Sequence, residues 1–142
     1  MTENEIGTIC LETALSIHRE LGPGLLESVY EIVMAHELEQ RGLKVERQVP
    51  IAVVHKGIVF DEAFRADLLV DGKVIVELKS VEQITKAHRK QLQTYLRLAG
   101  LNLGYTFNFE AALMKEGVVR AVNGLEENRS RGDAEARREP NL

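Results

Sequence analysis

One stretch, Arg65 to Ser80 (RADLLVDGKVIVELKS), limits the fold more than any other part of the chain. It reads as two short β-strands joined by a tight turn at Asp71-Gly72. Side chains in an extended chain alternate between two faces. Arg65 and Asp67 therefore share one face of the first strand, and Glu77 and Lys79 share one face of the second. Phe64, Ala66, Leu68 and Val70 are expected on the opposite face, as are Val74, Val76 and Leu78. Two carboxylates and an ammonium on one edge of an apolar hairpin are costly to hold near a core unless they pair or bind a metal.

Loop length decides whether those charges meet. A two-residue Asp71-Gly72 turn pairs Val70 with Lys73 and Asp67 with Val76, so Glu77 points away from Asp67. A three-residue loop, Val70-Asp71-Gly72, with Gly72 left-handed and a bulge, pairs Leu69 with Lys73. Asp67 then lies diagonal to Glu77 on the same side. Only this second register sets apolar face beside apolar face, and it is the one expected.

Converging carboxylates suit a hard divalent cation. Mg²⁺ (or Mn²⁺) is usually held by one or two carboxylates, with water and substrate phosphate completing its shell. Asp67 and Glu77 are the candidates, with the backbone carbonyl of Leu78 as a further oxygen. Such an ion binds a phosphate, sharpens a water nucleophile and neutralises the departing oxygen, which is the chemistry of phosphodiester hydrolysis. Lys79 is expected to point at the same pocket. Three roles stand open for it: orienting the water, stabilising the transition state, or serving as a base. Alternatively, Arg65, Glu77 and Lys79 form a salt-bridge ladder with no catalytic role.

At 142 residues the default is one domain, placed at residues 1–124, with a charged tail over 125–142 that is expected to be disordered. No apolar run approaches the ~20 residues of a membrane span. The N-terminus is acidic and has no basic leader region, so a cytoplasmic protein with no membrane partner is expected. The lone Cys10 excludes an internal disulfide and a cysteine-rich metal site; it sits in an apolar helical pattern and reads as a core residue.

The net charge of −4 argues against a strongly basic nucleic-acid binder, but the distribution is uneven. Residues 1–40 hold eight acids and one base, whereas residues 41–124 hold nine acids and thirteen bases. The run Lys86–Arg97 (KAHRKQLQTYLR) contains no acid and offers a side that a phosphate backbone can approach.

Along the chain, Thr2 and Glu5 have capping-box spacing ahead of a helix that ends at Gly22-Pro23-Gly24. A second helix is expected from about Leu25 to Arg41, with Leu26, Val29, Tyr30, Val33 and Leu38 inward. Leu43 to His55 reads as a strand with Leu43, Val45, Val49, Ile51 and Val53 on one face, bent at Pro50. Arg47 falls on that apolar face, which asks for a partner. A turn at Lys56-Gly57 and a short strand over Ile58–Phe60 precede the hairpin. A helix over Thr85–Ala99, stopped by Gly100, and strands over Leu103–Phe109 and Val118–Val122 follow. The order predicts an α/β domain, a mixed sheet with helices against it.

Several motifs stand in one order. They are HRELGP, GLLESVY (Gly24–Tyr30), ERQVP (Glu46–Pro50), RADLLVDG, IVELK and QLQTYL. Together, from about residue 5 to residue 123, they resemble the bacterial GxxExxY proteins and, through them, the RecB-like branch of the PD-(D/E)XK nuclease superfamily. The resemblance implies a restriction-endonuclease-like core, a mixed four- to five-stranded sheet flanked by helices. It implies that Asp67 and Glu77 are the metal-binding acid pair and Lys79 the signature lysine. It carries the acid of an early helix onto Glu27 and the Q-x-x-x-Y motif onto Gln91 and Tyr95. Ala66 stands where the superfamily pattern has proline.

Glu27 thus has two roles open, a favourable charge at a helix start or a metal ligand. Gln91 and Tyr95 share a helical face and either pack at the core edge or meet substrate. His18 and His88 are not expected as ligands. The expected function is Mg²⁺- or Mn²⁺-dependent cleavage of nucleic acid, DNA in particular. A homodimer is one way for so small a domain to grip a duplex. The contrasting class is a module of the same fold that binds nucleic acid or protein without turnover.

Overall fold

Thr2 opens the first helix with the reciprocal contacts its spacing predicts. Glu5 N–H donates to Thr2 Oγ1 at 3.2 Å, and Thr2 N–H donates to Glu5 Oε1 at 2.8 Å. In the computed structural model, which describes residues 1–125, this helix (α1) runs Glu3–Leu21. It is followed by α2 (Glu27–Gln40), β1 (Val45–His55), β2 (Ile58–Val70), β3 (Val74–Lys79), α3 (Lys86–Ala99), β4 (Leu103–Asn108) and β5 (Val118–Val122). A short 3-10 turn, Met114–Gly117, leads into β5. Of the charged tail expected over 125–142, residues 126–142 lie outside the described residues.

The strands form one sheet in the order β1-β2-β3-β4-β5. Only β3 and β4 are parallel, and α3 makes the crossover between them. Ile6, Cys10, Tyr30, Met34 and Leu38 of α1 and α2 pack on Leu68, Val70, Val74, Val76 and Leu78. On the other face Leu92 and Leu96 of α3 pack on Ala66, Ile75, Val119 and Ala121. Tyr30 stacks on Phe109 with ring centroids 4.3 Å apart, and its hydroxyl donates to the Gly22 carbonyl, tying α2 to the end of α1. Cys10 is buried, as expected, and burial pushes its thiol up to about 12. No helix among the described residues is long and apolar enough to cross a membrane.

Three local expectations change. Ile58–Phe60 is not a separate strand but the start of β2, paired back on β1 across the Lys56-Gly57 turn. The irregularities of β1 lie at Gln48, with φ 51°, and in a register shift between Ile51 and Val53, rather than in a bend at Pro50. Leu26, the residue that caps α2, and Val29 within it are exposed, while Glu31, Met34 and Ala35 join Tyr30 and Leu38 inside. That helix is apolar on several sides, so its periodicity alone does not pick the buried stripe.

Candidate active site

The β2–β3 hairpin combines features of both anticipated loops. Asp71 and Gly72 both take positive φ, 51° and 65°, and Lys73 N–H donates to the Val70 carbonyl at 3.0 Å. The ladder then pairs Val70 with Val74, Leu69 with Ile75 and Leu68 with Val76. Three residues are looped out, one position later than expected. Asp67 therefore falls opposite Glu77 rather than diagonal to it, and the two stay on the same side.

At that point the ladder gives way to side chains. Asp67 N–H donates to Glu77 Oε2, and Leu78 N–H donates to Asp67 Oδ2, each at 2.9 Å. Each carboxylate takes the place of a strand carbonyl as acceptor for the other strand. The two acids are interlocked through backbone, and Glu77 is only 6% exposed.

A second break on the far side of β2 explains how Asp67 is presented. Arg47 pairs with Leu68 and Val49 with Ala66, but Gln48 and Asp67 between them form no ladder pair. Gln48 is left-handed there. Val45, Leu68 and Val70 pack towards α1 and α2, whereas Val49, Ile51 and Ala66 pack towards α3. Phe64 follows Ala66 and stacks on Tyr95 of α3, centroids 3.8 Å apart. The expected common face of Phe64, Ala66, Leu68 and Val70 is therefore wrong, as is that of Leu43, Val45, Val49, Ile51 and Val53. Both strands exchange faces at Gln48 and Asp67, an irregularity of the kind that re-aims side chains beside functional sites.

Arg47 finds the partner its apolar position demands. Its Nη2 lies 2.9 Å, and its Nε 3.1 Å, from Oε2 of Glu31 on α2. The Gln48 amide donates to the other oxygen of Glu31 at 2.6 Å and reaches Asp67 Oδ1 at 3.4 Å. Glu31, 7% exposed, was not anticipated from the sequence. One signal was present: Glu31 stands four residues after Glu27 and so shares its helical face.

The charges act on one another as close neighbours. Burial pushes the Glu77 carboxyl up to about 8, and the Asp67 charge adds to this against the opposing Asp67 N–H and Lys79 ammonium. Burial also raises Asp67, with the Glu31 charge in the same sense, while Leu78 N–H, Lys79 and Gln48 oppose. The Tyr95 phenol is raised by burial and then by Glu77 and Asp67. Asp67, Glu77, Lys79 and Tyr95 thus form one neighbourhood.

Glu27 and Gln91 are placed differently. Glu27 is exposed at the first turn of α2, where its Oε2 accepts Ser80 N–H at 2.9 Å and fastens the end of β3. Gln91 is exposed one turn before Tyr95, and among the described residues no hydrogen bond engages its side chain. Arg65 pairs with Glu62 on its own strand, so the ladder with Glu77 does not form. His18 contacts the Ala111 carbonyl and His88 caps α3. Among the described residues no three His, Cys, Asp or Glu side chains are grouped as metal ligands.

The family model for the PD-(D/E)XK nuclease superfamily matches residues 4–121. The chain belongs to this superfamily. Its α/β architecture, a mixed five-stranded sheet flanked by helices, agrees with the restriction-endonuclease-like fold that membership implies. None of the curated proteins matches the sequence. Among solved structures, one described as "Crystal structure of SSO0001" is 15% identical, with a TM-score of 0.44 over 85% of this chain and 79% of that one.

Proposed function

We propose that this protein is a divalent-metal-dependent nuclease that hydrolyses DNA phosphodiester bonds, of the GxxExxY group within the RecB-like branch of the superfamily. The observation that carries the proposal is the interlocked, buried pair Asp67 and Glu77, both raised by burial, Glu77 further by the Asp67 charge and Asp67 by that of Glu31. Acceptor-only oxygens on two carboxylates fit a hard cation such as Mg²⁺ or Mn²⁺, and bound positive charge would relieve the cost of ionising them. Asp67 and Glu77 would hold the ion, which supplies Lewis-acid polarisation of the scissile phosphate.

The chain's own groups do the rest. Lys79 stands beside the acids and orients the attacking water or steadies negative charge on phosphate. Tyr95 and Gln91 lie on α3, whose exposed Lys86, Arg89, Lys90 and Arg97 give the backbone of a nucleic acid a cationic approach. Glu27 holds the end of β3, and with it Lys79, in register with α2. A second copy would supply a second basic helix to a duplex.

The test is incubation with supercoiled and linear DNA in millimolar Mg²⁺ or Mn²⁺. Cleavage is expected, reduced about a hundredfold or more in Asp67→Ala and in Lys79→Ala. Cleavage unchanged by both substitutions refutes the assignment. The contrasting function, a binding module without turnover, draws on the backbone N–H groups already engaging Asp67 and Glu77. Calorimetry with Mn²⁺ separates the two, because the inert module binds no metal at millimolar concentration.

A further inference from the structure

Gln48 occupies a position that its residue type does not explain. A left-handed backbone is uncommon outside glycine, asparagine and aspartate, and Gln48 adopts it inside a strand, at φ 51°. Glycine there would be the simplest solution to the strand crossing. The side chain supplies the missing reason. Its two amide contacts, Glu31 Oε1 at 2.6 Å and Asp67 Oδ1 at 3.4 Å, are both to acceptors, so the NH₂ end must face them. Glu31 is itself fixed, because Arg47 holds its other oxygen. Asp67 is gripped from the opposite side by Leu78 N–H on Oδ2. Gln48 therefore completes a two-sided hold on the Asp67 carboxylate, and α2 anchors that hold through Glu31.

We infer that Gln48 is a positioning residue, which takes its bearing from the Arg47–Glu31 pair and sets the plane of the Asp67 carboxylate for a divalent cation. This rests on the metal-dependent reading of the site and assigns a role within it to three residues outside the acid pair and its lysine. The left-handed backbone follows from that role: a strand residue in ordinary extended conformation would carry its side chain to one face of the sheet, away from the crossing where α2 and Asp67 meet.

The decisive variant is Gln48→Gly, which removes the amide and relieves the left-handed strain. If Gln48 were only a turn residue, glycine would do its work. The expected result is a melting temperature no lower than that of the parent, with Mn²⁺ binding by calorimetry weakened at least about fivefold. A second readout needs no metal. Side-chain NMR couplings of Asp67 should report one fixed rotamer in the parent and averaging in Gln48→Gly. Gln48→Met, which keeps the length and the backbone cost but not the amide, should reproduce the averaging if glycine disturbs the crossing. Glu31→Leu should reproduce it by removing the anchor. Unchanged Asp67 couplings in Gln48→Gly and Gln48→Met overturn the inference even if Mn²⁺ binds normally. Averaging in those variants, in a parent protein that binds no Mn²⁺, leaves the positioning role standing and removes the metal site instead.

Discussion

Glu77 is an acid held where an ionised acid is expensive, and that fixes the sign of its pH dependence. Its pKa in the folded protein is about 8, against an ordinary 4.5. Below the ordinary value the carboxyl is protonated in both states and costs nothing. As pH rises towards 8 the unfolded chain loses the proton first, so folding is progressively disfavoured, and above that the penalty is complete. At about 1.4 kcal/mol per pKa unit the effect is on the order of a few kcal/mol. Asp67 is raised too and acts in the same direction. Glu77→Gln keeps an acceptor for Asp67 N–H but cannot ionise. In metal-free buffer this variant should match the parent near pH 5 and melt several degrees higher near pH 8.5. Parallel melting curves across that range would mean that Glu77 ionises freely in the folded protein.

At the scale of elements, α1 is seated on β4 by the absence of a side chain. A Cβ on Gly7 would lie 2.9 Å from the Tyr105 hydroxyl and 3.0 Å from Leu103 Cδ2. Gly7→Ala sets a helix-propensity gain of about 1 kcal/mol against overpacking of about 1–3 kcal/mol, so its net effect runs from neutral to a cost of about 2 kcal/mol. Gly7→Val has no such offset and should cost about 2 kcal/mol or more, read as a lower urea midpoint at unchanged slope. A midpoint within error of the parent would mean that α1 can lift from the sheet freely. The features legible in the sequence are local ones. Thr2 and Glu5, Thr85 before α3, and the stops at Gly22 and Gly100 all lie within a few residues of the ends they define. So does the hairpin that brings Asp67 to Glu77. The illegible features depend on partners far along the chain. Glu31 can be buried because Arg47 arrives from β1 to neutralise it and Gln48 to hydrogen-bond its other oxygen, and no local pattern announces that. The face exchange of β1 and β2 rests on one left-handed glutamine, a residue type that gives no warning.

Over the whole molecule, the acids of α1 and α2 lie behind one face of the sheet and the bases of α3 in front of the other, with Asp67 at the crossing between them. A nucleic acid approaching from α3 would meet cations first and the acid pair last. Those acids need a counter-charge of their own before a phosphate can sit beside them, and a proton or a divalent ion can supply it. At the proposed site the two would compete for the same oxygens, so metal affinity is expected to rise with pH as Asp67 and Glu77 give up their protons. Binding to the folded state alone stabilises it by about 2.7 kcal/mol at a hundredfold excess over the dissociation constant. Millimolar Mn²⁺ should therefore raise the melting temperature by several degrees near pH 8, and by much less near pH 5. The rise should vanish in Asp67→Asn. If it is equal at both pH values, or persists in Asp67→Asn, the ion is bound somewhere other than between these two strands.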